Sequence, residues 1–228
     1  SNNFTFFKLM EFVRSKHGFF RIRKDDFVKG NFEVPQYESN ELDLSKATLF
    51  TVTEKFNEAF TKYVLQPVKD ASGDEWPSLV LGHDMGTNLN AIGYGRIDFS
   101  NQLRLFDQQM SPERQVLIYC YYIMRQHYCS SRNIYTSYKD WITAQISSVN
   151  QRVQMIDIGC GPATCGIAFA EIFKEAAPGM VYAGIDVSTE MKRMGKYLLN
   201  DVFNGEINWQ MFNSFNELDA LYWEGCSE

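Results

Sequence analysis

No apolar run in the chain approaches the roughly 20 residues that a helix needs to cross a bilayer. The most hydrophobic opening stretch, NFTFFKLMEFV, is interrupted by Lys8 and Glu11 and carries no signal-cleavage pattern. A soluble, intracellular protein of cytoplasmic location is the resulting expectation. Cysteine is scarce, odd in number and irregularly spaced: Cys120, Cys129, Cys160, Cys165 and Cys226 do not make a disulfide framework and fit a reducing compartment. An excess of positive charge is also missing. The net charge of −6 argues against bulk electrostatic attraction to nucleic acid. Arg14, Lys16, Arg21, Arg23, Lys24 and Lys29 form a basic strip, but they lie among Glu11, Asp25 and Asp26, so a solvated face is the first reading and a phosphate-binding patch the second. The first part of the chain, to about residue 110, has no repeat and no low-complexity tract, though its texture changes several times.

What remains is an ordinary globular composition, 45% hydrophobic, enough for one substantial core or two small ones. Residues 1–134 read as a mainly helical module. Ser45 caps a helical pattern of Leu49, Val52, Phe56, Ala59, Phe60 and Tyr63 that Pro67 is expected to stop. The glycine-rich stretch from about 73 to 100, with SLVLG and AIGYGRI, suggests loops or hairpins. Ser111-Pro112-Glu113 combines a cap, a proline at the first helical position and an acid against the dipole, starting a helix to about Ser130. A second helix is expected from Tyr135 to Val149.

From residue 135 the reading is an α/β domain whose strands and helices alternate after Val153. VQMIDIG reads as a strand covered on both faces, CGIAFAEIFKEA as a helix closed by Pro178-Gly179, and MVYAGID as a second strand. Ser188 caps a helix with Met191, Met194, Leu198 and Val202 on its inner stripe. INWQMF is a third strand, followed by a helix in SFNELDALYW. A βαβαβ succession with short connections implies a doubly wound, Rossmann-like parallel sheet, of which this chain holds the first three strands.

The chemistry lies where the first strand ends, at Asp157-Ile158-Gly159-Cys160-Gly161-Pro162-Ala163. Glycine there permits a sharp turn and removes a side chain from the path of a ligand, while the next helix presents its first amides as donors. Asp186, 25 residues beyond Gly161, ends the neighbouring strand, where a carboxylate can accept both hydroxyls of a ribose. The segment resembles the first motif of class I (Rossmann-like) S-adenosylmethionine-dependent methyltransferases, which runs acid, any residue, Gly, any residue, Gly, any residue, Gly, with Ala163 in place of the third glycine. The resemblance implies S-adenosyl-L-methionine as cofactor. It puts Asp157 near the methionine amino group, Gly159, Cys160 and Gly161 along the cofactor, Asp186 at the ribose, Val187 and Met191 beside the adenine, and Asn213 or Ser214 at the adenine amino group. A dinucleotide fingerprint would require glycine at position 164, which is Thr164; a structural turn without ligand is the remaining alternative.

Other features have blander accounts beside the sharper ones. Cys120 and His127, seven apart, share a face of an ideal helix with Cys129 nearly opposite, so packing is preferred to a metal site. His83 and Asp84 in GHDMGTN read as a turn before an active-site lid, and Tyr135, Tyr138 and Trp141 as packing before a cofactor cover. The resemblance also implies a seven-stranded sheet ordered 3-2-1-4-5-7-6, whereas 76 residues run from Val153 to Glu228. A further C-terminal half or a partner chain is therefore expected to complete it, with SLVLG or AIGYGRI folding back as the lesser option. The leading functional expectation is a methyltransferase of undetermined acceptor, small molecule or protein slightly ahead of RNA. A non-catalytic regulatory subunit is the alternative, and no catalytic base is named.

Overall fold

The structure, a computed structural model, describes residues 52–105, 108–147 and 154–222, and Leu49–Glu228 form one compact unit. The basic strip and the proposed Ser45 cap lie outside the described residues. Helix α1 (Glu54–Phe60) starts where Thr53 Oγ1 accepts the amide of Phe56, and buries Phe56, Ala59 and Phe60. Contrary to expectation, Pro67 does not stop it. A π-helical turn, Thr61–Leu65, closes with the Gln66 amide on the Thr61 carbonyl, and α2 (Gln66–Ser72) continues with Pro67 in its first turn. The wider turn relieves the contact between a proline ring and the preceding carbonyls, and a proline near the start of a helical segment forfeits no necessary donor.

The glycine-rich stretch is not a hairpin. Ser72 Oγ donates to Val68 O and accepts from Leu81 N, while the Asn88 amide donates to Val80 O and His83 O. These side chains fold the segment into turns around α3 (Met85–Ala91), capped by Asp84. The hairpin lies further on, where β1 (Leu103–Leu105) pairs antiparallel with β2 (Gln108–Met110). Next, Ser111 caps α4 (Pro112–Tyr119) as the sequence suggests. A second π-helical turn, Cys120–Met124, joins it to α5 (Arg125–Ser137), so the helical run ends at Ser137 rather than near Ser130, and α6 (Lys139–Ser147) follows. Tyr135 therefore belongs to α5, not to the start of the next helix.

The strands β3 (Gln154–Ile158), β4 (Val181–Ile185) and β5 (Asn208–Phe212) form a parallel sheet in the order β3-β4-β5, with α7 (Thr164–Phe173) and α8 (Thr189–Phe203) as crossovers. Register sets the two faces, because side chains alternate along a strand. Tyr182 lies opposite Met155 and Trp209, and Gly184 opposite Asp157 and Met211, so these residues share one face. Glycine makes that face fit. A methyl carbon on Gly166 of α7 would lie 2.2 Å from the Tyr182 ring, and one on Gly195 of α8 would lie 2.6 Å from Met211. Helix α5 packs across the outside of α7, which explains why Ile167, Ala168 and Ala170 on α7 are all fully buried.

The opposite face is covered only in part. Leu218 of α9 (Phe215–Tyr222) packs with Ala183, Ile185 and Phe212. Ile156 and Ile158 of β3 remain 43% and 47% exposed, and no strand pairs with the outer edge of β3 among the described residues. The expectation that this first strand is covered on both faces is thus corrected, and SLVLG and AIGYGRI do not fold back onto it.

Candidate functional site at the carboxyl ends of the strands

The turn leaving β3 enters left-handed backbone at every second residue. Gly159, Gly161 and Ala163 have φ of 69°, 53° and 61°. Glycine adopts such angles without penalty, whereas alanine gives up about 1 kcal/mol. Ala163 is fully buried and caps α7 despite that cost. The loop is tied to the next strand, since Gly159 N and Cys160 N both donate to Ile185 O, at 2.8 and 3.1 Å. Nothing lies within 4 Å of where a side chain on Gly159 would begin. An exposed, side-chain-free backbone surface results.

Asp186 grips this loop from the end of β4. One carboxylate oxygen accepts the Gly161 amide at 2.9 Å and the other the Ser188 amide at 2.8 Å. Each oxygen keeps a further lone pair, so the group can accept from a ligand as well. Ser188 also caps α8 and donates to Phe99 O at 3.2 Å, which links the corner to the helical part of the unit.

Beneath the loop, Asp157 accepts from the Tyr182 hydroxyl at 3.0 Å. Burial pushes its carboxyl above the usual carboxylate range, the Tyr182 and Gly166 donors oppose that, and the Asp186 charge adds to it. Desolvation likewise raises the Tyr182 phenol and pushes the Cys160 thiol up to about 12, so Cys160 is a neutral packing group against Met211 Sδ, 3.8 Å away. A cation entering beside Asp157 would find a carboxylate short of compensating charge.

The remaining sequence candidates divide. Val187 is 72% exposed at the mouth, whereas Met191 is buried, its sulfur 3.9 Å from where a Gly161 side chain would begin. Asn213 spends its Oδ1 on Lys192 at 2.7 Å and its Nδ2 on Glu217 at 2.7 Å, and Ser214 is exposed. Lys192 is the residue that sequence reasoning missed. Though buried, its ammonium bonds the Asp186 carbonyl at 2.5 Å as well as Asn213, clamping the ends of β4 and β5 together. Its place immediately after Met191, on the inner side of a capped helix, was the available signal.

No group of three or more His, Cys, Asp or Glu residues is placed to hold a metal ion among the described residues. Nor is any helix among them long and apolar enough to cross a membrane. Comparison of the chain with protein-family models, with curated proteins and with solved structures finds no match in any of the three.

Proposed function

We propose that the chain binds S-adenosyl-L-methionine on a Rossmann-like half-sheet and acts as the cofactor-binding part of a methyltransferase. The observation that carries this reading is the left-handed backbone at Gly159, Gly161 and Ala163, the three glycine positions of the methyltransferase motif, with Asp186 seated on the middle one. The group fits the residues present: Gly159 leaves open space, Asp186 has lone pairs left for ribose hydroxyls, Asp157 suits an ammonium, and exposed Val187 is free to meet an adenine ring.

When bound, S-adenosylmethionine supplies an electrophilic methyl group on a sulfonium that is already a good leaving group. The protein's task would therefore be positional: the amides at the start of α7 and the Asp186 carboxylate would hold the donor, and holding the acceptor in line would provide much of the acceleration. The acceptor wall, and the cover for Ile156, Ile158 and the open edge of β3, would come from polypeptide outside the described residues, of this chain or of a partner. An unpaired, apolar parallel edge is otherwise unstable in water.

Thermal unfolding with S-adenosylhomocysteine tests the reading. At a hundredfold excess over Kd, a site ligand adds about 2.7 kcal/mol of stability. The midpoint should rise by several degrees, and Asp186→Ala should abolish the rise. No shift with either S-adenosyl compound, or a shift with NAD instead, would sink it.

A further inference from the structure

The two carboxylates at the ends of β3 and β4 differ in what surrounds them. Asp157 pairs in register with Gly184, and Asp186 follows Gly184 by two residues, roughly 7 Å further along the strand. Asp186 is met by two backbone amides, those of Gly161 and Ser188. Asp157 accepts the Tyr182 hydroxyl at 3.0 Å and the Gly166 amide. It is half-buried, two residues before Gly159, where open space begins. Lys192 is the one buried ammonium among the described residues. Its bonds go to the Asp186 carbonyl and to Asn213 Oδ1, both neutral atoms, while its charge is felt by Cys160 and Glu217.

The titratable groups set against Asp157 are held neutral. Burial raises the Tyr182 phenol on β4 and the Cys160 thiol in the loop, and it does the same to Cys165 on α7 and to Tyr135 on α5. Cys165 Sγ meets Ser131 Oγ at 3.1 Å, and the Tyr135 ring packs edge to face on Phe169 at 5.3 Å. The charge that does act on Asp157 is that of Asp186, which has the same sign. A carboxyl placed among neutral donors and one like charge lacks a counter-ion of its own, and its ionised form is the costly one.

We infer that Asp157 is a proton-exchange site: in mildly acid conditions it holds a proton in the ligand-free protein and gives that proton to water when a ligand's α-ammonium binds. The inference rests on the methyltransferase reading, because the α-ammonium is that of the methionine portion of the cofactor. One O–H bond of the carboxyl breaks, its proton leaves to solvent, and the carboxylate left behind pairs with the incoming ammonium. No other bond changes. The ligand thereby brings the positive charge that the surrounding side chains do not supply. Affinity for a ligand that carries the ammonium falls as the pH is lowered, whereas affinity for one that carries only the nucleoside stays level.

Calorimetry from about pH 5 to about pH 7 tests this with S-adenosylhomocysteine and with 5′-methylthioadenosine, which has the same nucleoside and no amino acid. The free amino group stays charged over that window, so a change in affinity belongs to the protein. Toward the acid end, affinity for S-adenosylhomocysteine should fall by up to about tenfold per pH unit, the limit for one exchanged proton, and that for 5′-methylthioadenosine by less than about twofold. Repeating the titration in two buffers of different ionisation enthalpy should show up to about one proton released per S-adenosylhomocysteine bound. In Asp157→Asn the affinity should be weaker at neutral pH and level with pH, so that the parent protein converges on the variant in acid. A level affinity in the parent with no proton released, an equal slope for the two ligands, or a slope that survives in Asp157→Asn overturns the proton exchange while leaving the cofactor site standing. Failure of S-adenosylhomocysteine to bind the parent at any pH overturns the methyltransferase reading itself.

Discussion

At the scale of single residues, burial governs the energetics of Asp157. Its carboxyl is raised in the folded protein, so the folded state prefers the proton. As pH climbs from the ordinary carboxylate value through the raised one, the ionised form increasingly favours the unfolded chain, and above that window the penalty is complete. Asp157→Asn keeps an acceptor for Tyr182 and removes the charge. It should therefore raise the neutral-pH melting temperature of the ligand-free protein by a few degrees, with the gain disappearing at acid pH. The same variant should bind S-adenosylhomocysteine about tenfold or more weakly by calorimetry, since its ammonium loses its partner. A stabilised variant that binds as well as the parent would make Asp157 a packing residue. Lys192 shows the complementary pattern: a buried ammonium spent wholly within the protein, on a backbone carbonyl and an amide, to fix where Asp186 and Asn213 stand.

At the scale of elements, the crossover helices are shaped by the places where side chains are missing. Ala for Gly in the middle of an exposed helix ordinarily adds about 1 kcal/mol. At Gly166 the sign reverses, because the added carbon would meet three Tyr182 ring atoms at 2.2, 2.5 and 2.7 Å. Tyr182 cannot swing aside: it is fully buried and its hydroxyl is committed to Asp157. Gly166→Ala should cost about 3 kcal/mol or more in urea unfolding, and Tyr182→Val in the same chain should restore part of it. Stability unchanged by Gly166→Ala would mean that α7 does not lie on β4 as described. The two π-turns belong to this scale too. One lets a helix pass Pro67, and the other brings Tyr119 to His127.

At the scale of the whole molecule, a half-buried carboxylate ties the helical part to the sheet. Glu171 of α7 accepts from Thr53 at 2.6 Å, from Arg132 at 2.7 Å and from the Tyr128 hydroxyl, while Tyr128 stacks on Phe56 at 3.8 Å. Its side chain is 11% exposed and that of Arg132 23%. Removing one member of such a half-buried pair leaves the other charge and two hydroxyls without their partner, at a cost of about 2–3 kcal/mol. Glu171→Ala should lower the melting temperature by roughly 10 °C, in one transition if the two parts unfold together. Two separated transitions would show that the two parts unfold independently.

The sequence by itself determined the elements whose causes are local. Ser111 and Ser188 cap helices wherever they precede an apolar stripe, the three strands follow from short apolar runs between glycine and proline, and the Gly159 turn follows from residues that tolerate left-handed backbone. Those signals need no partner far along the chain, so Asp157, Gly159, Gly161 and Asp186 were legible as a group. Tertiary structure alone decided the rest. Pro67 was survivable only because a π-turn precedes it, the glycine-rich segment became turns because Ser72 and Asn88 reach across to its backbone, and Lys192 found carbonyl and amide acceptors on two strands that periodicity cannot bring together. The pairing of Tyr119 with His127 is the plainest instance. Regular helical spacing keeps them apart, and a single extra residue in one turn, energetically affordable only within a packed unit, puts an inward phenol and an exposed imidazole within hydrogen-bonding distance.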